Sequence, residues 1–181
     1  MLSVKGFIVA LALASSAKAE ELVLDAFDAS ANDRWEYIAD GVMGGVSQGG
    51  AVVANVNGRD AIHLTGTVST ENNGGFIQVR RLLPDGLPAG TTGLTLSVRG
   101  NGENYYVFLR TNEMTRPWYY YSASFPAGAE WSDIRLPLDE FKVSHAHLAA
   151  QPDPADIISI GIVAYGRDHM ADVSVAKITL D

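Results

Sequence analysis

Large aromatic side chains are concentrated in two short segments near the middle of the chain. Residues 105–110 (YYVFLR) and 118–121 (WYYY) carry apolar or aromatic side chains at successive positions, so a strand formed there would present them on both faces. A strand in a two-layer sandwich has only one core face. The second face must be covered by a loop, a partner or a ligand, and the rings that we expect on it are Tyr106, Phe108, Trp118 and Tyr120.

Three arginines accompany these rings, because Arg80, Arg99 and Arg110 each lie near the end of a predicted strand. A guanidinium group is a planar fork of donors that suits carboxylates and sugar hydroxyls, and it also stacks on aromatic rings. In one interpretation, the arginines and the rings converge on a concave binding face. In the other, each arginine pairs with a loop acid: Asp33, Asp60 or Glu71. The sequence leaves both interpretations open.

The residues that could support catalysis or metal binding form no convincing set. His145 and His147 are a close pair without a fixed third ligand, so a solvated loop is the simpler interpretation. Asp139 and Glu140 would point to opposite faces of a strand and could not cooperate as acid and base. The acids that could ligate a structural calcium ion are Asp25, Asp28, Asp40 and Asp172, at no diagnostic spacing. We expect no enzymatic activity, metal or cofactor.

The segment 40–47 (DGVMGGVS) contains three glycines, which allow the backbone to bend or to be approached closely. A phosphate-binding loop would need a following Lys-Ser or Lys-Thr pair and the start of a helix, and the sequence offers neither. We therefore predict a β-bulge or a tight turn.

Short apolar alternations separated by Gly, Asn, Asp and Pro predict about ten strands beyond residue 20. The clearest alternations place Ile62, Leu64 and Val68, then Leu94, Leu96 and Val98, then Ile158, Ile160 and Ile162 on one face each. No segment has a helical stripe, and residues 138–150 form at most one turn of helix. This pattern predicts an all-β, two-sheet jelly-roll sandwich. The irregular connections 84–92 and 142–154 could cover the aromatic face.

The composition describes one acidic domain. The chain has 181 residues, 13 Lys+Arg, 21 Asp+Glu and no cysteine. The acidic balance argues against nucleic acid and anionic membrane surfaces as partners, and the lack of cysteine excludes disulfides and thiolate chemistry. Residues 1–19 are typical of a signal peptide that is cleaved between Ala19 and Glu20, with Lys5 before an apolar core. We expect residues 20–181 to form one periplasmic or secreted domain that is not inserted in a membrane.

Two glycine-rich strings carry a family resemblance. The first consists of Asp40, Gly41, Met43, Gly44, Gly45 and Ser47, and the second of Asn73, Gly74, Gly75 and Phe76. With Arg80, Arg99, Arg110 and residues 160–162 (IGI), the chain from about residue 35 to residue 180 resembles the complex I intermediate-associated protein 30 family. The resemblance implies a galactose-binding-like jelly roll. It also implies a chaperone-like role in assembling the respiratory NADH dehydrogenase, without a catalytic step.

The sequence thus predicts a non-enzymatic, exported binding or assembly module. We expect it to hold a protein client, such as a respiratory-complex or envelope subunit, on the aromatic and arginine face. The alternative is a periplasmic carbohydrate-binding module, in which the same rings stack on sugars and the arginines donate to hydroxyls.

Overall fold

The computed structural model describes residues 21–181, and they form strands, short 3-10 turns and loops. The predicted signal peptide and its cleavage site lie outside the described residues. Within residues 21–181, no helix has the length and apolar character needed to span a membrane. The short 3-10 turns are Ala29–Asp33, Asp40–Met43, Glu71–Asn73, Leu138–Glu140 and Pro154–Asp156. The expectation of at most one helical turn within residues 138–150 is therefore confirmed.

The described residues form twelve strands rather than about ten. They are β1 (Leu22–Asp25), β2 (Trp35–Ala39), β3 (Gln48–Val56), β4 (Arg59–Val68), β5 (Phe76–Leu82), β6 (Gly93–Gly100), β7 (Asn104–Thr111), β8 (Tyr121–Pro126), β9 (Ser132–Pro137), β10 (Lys142–Val143), β11 (Ile157–Tyr165) and β12 (His169–Leu180). The additional strands are short, and a pair such as Lys142–Val143 leaves little periodicity for a sequence pattern to detect.

The strands pack as two antiparallel sheets, as the all-β sandwich prediction required. The first sheet has the order β3-β4-β12-β6-β9, with β1 paired to β12. The second sheet has the order β10-β8-β7-β11-β5-β2. Because β11 lies between β7 and β5, strands that are distant in sequence bring their outward side chains next to one another.

The core lies between the inner faces of the two sheets. The alternating residues of β4 and β6 face it as predicted, with Leu64 and Leu96 at 1% and 0% exposure. Ile160 and Ile162 are also buried, but Ile158 is 37% exposed because the pairing of β11 with β7 shifts register between Ile157 and Ser159. Each fully buried Leu or Ile side chain contributes about 1.5–3 kcal/mol. The core therefore supplies a rigid base for the outward side chains.

A buried carboxylate ties the N-terminal strands to the second sheet. Asp25 accepts hydrogen bonds from Trp35 Nε1 at 2.9 Å, Arg34 Nη2 at 2.9 Å and Arg81 Nη1 at 2.7 Å. Burial alone would raise the pKa of Asp25, but the hydrogen bonds from Arg34, Trp35 and the Phe27 backbone outweigh it and lower the pKa. The network connects β1, β2 and β5, which fixes the edge of the second sheet.

Candidate functional site

A groove of about 690 Å³ lies on the outer face of the second sheet. Its floor crosses β2, β5, β11 and β7, and we call it the aromatic groove. Its lining residues are Ile38, Val42, Met43, Asn73, Gly74, Phe76, Gln78, Arg80, Phe108, Arg110, Pro117, Trp118, Tyr120, Ser144, His145, Ser159, Gly161 and Tyr165. The groove therefore includes five of the seven predicted binding residues.

Small side chains on β11 create the depth of the groove. In the strand register, Gly161 lies between Arg80 of β5 and Phe108 of β7, and Ser159 lies beside Arg110. A Cβ atom at Gly161 would lie 2.9 Å from Oε1 of Gln78, which also lines the groove. Sequence reasoning missed both Gly161 and Gln78 as site residues. For Gly161 the available signal was the alternation of small outward residues with buried isoleucines along β11, a pattern that does not include Gln78 of β5.

One wall is a cluster of aromatic rings. Phe108 and Tyr120 stack in parallel with centroids 4.0 Å apart, and the Tyr165 ring lies 5.5 Å from Phe108 at a steep angle. Tyr120 OH donates to Tyr165 OH at 3.3 Å, and burial of Tyr120 raises the pKa of its phenol. Tyr106 lies just beyond the groove, with its ring 5.9 Å from Tyr165. The predicted outward face of β7 is thus confirmed, and Tyr165 is a member that the sequence reasoning did not select.

Trp118 reaches the groove from a loop, which corrects the expectation that residues 118–121 form a strand. Only Tyr121 of this run belongs to β8. Arg110 holds the loop in place by donating from Nη2 to the carbonyls of Met114 at 2.8 Å and Arg116 at 2.9 Å, and from Nε to that of Tyr119 at 3.1 Å. Pro117 has no N–H to donate to a strand ladder. The indole of Trp118 is 50% exposed and borders the open side of the groove.

The two groove arginines differ in how their guanidinium groups are satisfied. Arg80 donates from Nη2 to Glu36 Oε2 at 3.1 Å, while its buried Nε has no hydrogen-bond partner among the described residues. Arg110 donates to backbone carbonyls, and no carboxylate pairs with it in the described structure. Burial, together with the charge of nearby Arg80, lowers the pKa of Arg110. Neither arginine pairs with Asp33, Asp60 or Glu71.

Arg99 does not join this face, so the predicted convergence of Arg99 with Arg110 and the rings is wrong. Arg99 belongs to β6 of the first sheet and donates from Nε and Nη2 to the carbonyl of Ala129 at 3.1 and 2.8 Å. Strand phase tells which side chains share a face of one strand, but not which sheet the strand joins.

The glycine-rich segment forms one end of the groove. The predicted tight turn is confirmed as the 3-10 turn Asp40–Met43, which ends at Gly44 with a φ of +91°. Fully buried Asp40 accepts from the backbone of Gly75 at 2.5 Å and Phe76 at 3.2 Å. It also accepts from the backbone and hydroxyl of Ser47. Burial opposes its charge, but these hydrogen bonds outweigh burial and lower the pKa of Asp40.

Glycines are needed around Asp40 because side chains would collide with its carboxylate. A Cβ atom at Gly74 would lie 2.5 Å from Asp40 Oδ2, and one at Gly45 would overlap the same carboxylate. Gly45 and Gly74 therefore have a structural role, which is to leave room for the Asp40 carboxylate. The turn Asp40–Met43 exposes Val42 at 75% and Met43 at 52% on the rim of the groove.

Part of the connection 142–154 borders the groove without closing it. Ser144 exchanges hydrogen bonds with the Tyr120 backbone, and the rings of His145 and His147 lie 4.6 and 4.9 Å from Tyr119. This segment therefore covers Tyr119, whereas Phe108, Tyr120 and Tyr165 still line the open groove. The histidine pair follows β10 in a loop rather than in a strand.

The acids that were considered for calcium are occupied by protein donors, and two of them, Asp25 and Asp28, share the Arg34 guanidinium group. Asp28 accepts from Ser30, Asp172 pairs with His63 at 2.9 Å, and Asp25 and Asp40 have the partners described above. Among residues 21–181, no group of three or more His, Asp or Glu side chains is placed to hold a metal ion. The groove offers a ligand aromatic rings, guanidinium groups and amide or hydroxyl groups.

Solved structures similar to this chain share its sandwich. A family 11 carbohydrate-binding module of the cellulosomal cellulase Lic26A-Cel5E of Clostridium thermocellum matches with a TM-score of 0.73 and 15% identity, covering 91% of this chain and 95% of that one. The family 11 module from Clostridium thermocellum in complex with a β-1,3-1,4-mixed-linked tetrasaccharide matches with a TM-score of 0.71 and 16% identity. The match covers 88% of this chain and 94% of that one. An exo-β-agarase matches with a TM-score of 0.55 and 9% identity, covering 91% of this chain but 25% of its own.

These likenesses show the fold, which is the galactose-binding-like jelly roll of β-sandwich binding modules. No curated protein sequence matches the chain significantly. The family model described as complex I intermediate-associated protein 30 matches residues 25–173, which include both glycine-rich strings and every strand of the groove floor. The chain therefore belongs to the complex I intermediate-associated protein 30 family.

Proposed function

We propose that this protein is a noncatalytic module that binds a linear oligosaccharide in the aromatic groove. The observation that carries the proposal is the combination of an open trough across four strands with exposed ring surface along its side and polar groups on its floor. Sugar rings bury their C–H faces on aromatic rings and hydrogen-bond through their hydroxyls, so a glycan site needs both kinds of group.

The positions of the groups suit an extended ligand. Trp118 and Tyr165 are 50% and 38% exposed, so each retains ring surface for contact. Gln78 and Ser159 add an amide group and a hydroxyl group to the groove lining. A solved module of similar fold is described in complex with a mixed-linked tetrasaccharide, which supports testing a ligand of that length.

The test is calorimetric titration of a panel of soluble tetrasaccharides, neutral and acidic, into wild-type protein and two variants. Trp118→Ala removes a groove ring, and Val52→Ala removes a side chain of similar exposure, 57%, on the first sheet. Truncating a central aromatic contact costs about 2 kcal/mol, so we expect Trp118→Ala to weaken binding by about thirtyfold. We expect Val52→Ala to bind as wild type does. Binding that is absent throughout, or equal in both variants, contradicts the proposal.

A protein client is the second candidate, and the rim formed by Val42 and Met43 favours it. These apolar side chains are 75% and 52% exposed at the end of the groove, which is more typical of a protein contact than of a sugar contact. Crosslinking in the host, followed by mass spectrometry, tests this candidate. A respiratory or envelope subunit that is lost on Met43→Ser but kept on Val52→Ser would support it.

Export of the chain to the periplasm or beyond remains part of the proposal. It is motivated by the positive charge, apolar core and Ala17-Lys18-Ala19 string of the first residues. N-terminal sequencing of the protein from a separated periplasmic fraction should begin at Glu20. A cytoplasmic protein that begins at Met1 would contradict this part.

A further inference from the structure

The charge of the aromatic groove is opposite to the charge of the protein. The chain carries 21 acidic and 13 basic side chains, for a formal net charge of −8. The groove lining nevertheless contains no Asp or Glu, while it includes Arg80, Arg110 and His145. Two described acids lie beside the lining: Glu36 is bound to one nitrogen of Arg80 and its side chain is 69% exposed, and buried Asp40 is held by the backbone of Gly75 and Phe76 at the groove end.

The positive charge in the groove is only partly compensated. Arg110 is bonded to backbone carbonyls and faces the repulsion of Arg80 without a carboxylate of its own. Arg80 has one buried nitrogen, Nε, with no partner among the described residues. A guanidinium group without a carboxylate partner, as at Arg110, is costly in a partly dry site, and a bound anion relieves both its desolvation and its repulsion with Arg80.

We infer that the preferred ligand of the aromatic groove is an acidic oligosaccharide whose sugar carboxylates lie against Arg80 and Arg110. This inference rests on the proposed function and names the chemical class of its ligand. Arginine suits a carboxylate because the two planar groups can form parallel hydrogen bonds. Uronate rings keep the C–H faces that stack on Trp118 and Tyr165, so one ligand satisfies both the rings and the arginines.

The same charges argue against other anions. A polyanion such as nucleic acid is longer than the groove and would extend over the surrounding surface. Because the protein has a net charge of −8, that surface repels the polyanion. A short uronate chain places its charges where the arginines are and leaves the acidic exterior free. The groove therefore selects a small acidic ligand by position rather than by overall attraction.

The test compares tetragalacturonate with its fully methyl-esterified form by calorimetric titration at low and high salt. The ester has the same sugar rings and length but no charge. We expect the acid to bind at least tenfold more tightly than the ester, since a charge-assisted hydrogen bond is worth about 1.5–3 kcal/mol. We expect the difference to shrink at high salt.

Variants assign the effect to the groove. Arg80→Gln should weaken binding of the acid by about tenfold and weaken binding of the ester much less, since the guanidinium contact to a carboxylate is lost only with the acid. Arg99→Gln, on the first sheet, is the matched control and should change neither. Arg80 is the better choice than Arg110, because Arg110 also holds the loop that carries Trp118. Thermal unfolding of each variant confirms that it is folded.

The outcomes separate this inference from the proposed function. Equal binding of acid and ester, both weakened by Trp118→Ala, overturns the acidic preference and keeps the glycan site. The preference for the acid over the ester could instead be lost in Arg99→Gln and kept in Arg80→Gln. That result overturns the assignment of the preference to the groove. Failure of the ester, the acid and neutral tetrasaccharides to bind overturns both.

Discussion

The outer faces of the two sheets have the same strand geometry but opposite chemistry. On the first sheet, polar side chains pair with one another: His63 with Asp172 at 2.9 Å, Arg135 with Asp181 at 2.9 Å and Lys177 with Glu21 at 2.8 Å. Trp131, just before β9, has the Arg59 guanidinium over its ring at 5.2 Å. On the second sheet, rings remain open, and Arg110 has no carboxylate partner in the described structure.

The contrast teaches that an outward face is a candidate site when its polar groups are not satisfied within the protein. On the first sheet the charges named above are paired within the protein, although the buried Nε1 of Trp131 has no partner among the described residues. Unpaired donors beside exposed rings describe a surface that gains from a ligand. The predictions below change one face and use the other as its control.

The largest effect is expected from the carboxylate that supports the groove end. Asp40→Ala would leave the backbone N–H groups of Ser47, Gly75 and Phe76 without an acceptor, so we expect a loss of at least about 3 kcal/mol in unfolding free energy. Asp172→Ala on the first sheet removes a 57% exposed partner of His63 and should cost less than about 1 kcal/mol. Urea denaturation measures both. Similar losses of unfolding free energy in the two variants would contradict the stabilising role assigned to Asp40.

The next effect comes from filling the groove floor. Gly161→Leu places a branched side chain between Arg80 and Phe108, so we expect at least about a tenfold loss of oligosaccharide affinity in calorimetry. Gly50→Leu makes the same enlargement on the first sheet, where no atom lies within 4 Å of the Cβ position, and should leave affinity unchanged. Unchanged binding by folded Gly161→Leu would place the ligand elsewhere.

A smaller effect is expected in acid. The pKa of Asp40 is lowered in the folded protein, so its contribution to stability is present above its unfolded pKa of about 3.9 and is lost as the pH falls through the folded value. Asp25 acts in the same direction. We expect the unfolding free energy of the wild type to fall more steeply below pH 4 than that of Asp40→Asn. Parallel pH profiles from urea denaturation would contradict this assignment.

The smallest effect is expected from an ion pair of the first sheet. Arg135 is 53% exposed and pairs with Asp181, so Arg135→Gln should change the unfolding free energy by less than about 1 kcal/mol. Its affinity for oligosaccharide should equal that of the wild type. An affinity loss in this variant would contradict the claim that only the outer face of the second sheet binds the oligosaccharide.

Strand alternation was sufficient to predict the sandwich and the outward set of β7. Tyr106, Phe108 and Arg110 face outward because Tyr105, Val107 and Leu109 are each fully buried in the core. The same pattern could not show that Arg99 lies on the opposite sheet, since sheet membership depends on long-range pairing. It also misassigned residues 118–120, whose loop conformation depends on carbonyl contacts to Arg110.

Other parts of the site were beyond local patterns. Gln78 and Tyr165 join Phe108 in the groove lining only because β11 lies between β5 and β7. The glycines near Asp40 could be recognised as backbone features, but their close approach to one carboxylate requires Gly45 and Gly74 to meet from different segments. Residues that form a floor through their small size, such as Gly161, carry no chemical signal of their own.

The most direct test of the account follows the three tryptophan indole N–H resonances during titration with tetragalacturonate or the mixed-linked tetrasaccharide. Trp35 is buried, Trp131 is covered by Arg59 on the first sheet, and Trp118 borders the groove. The account predicts that the Trp118 resonance moves with saturation while the other two stay in place. A moving Trp131 resonance with a stationary Trp118, or no movement with either ligand, would contradict the claim that the aromatic groove is the binding site.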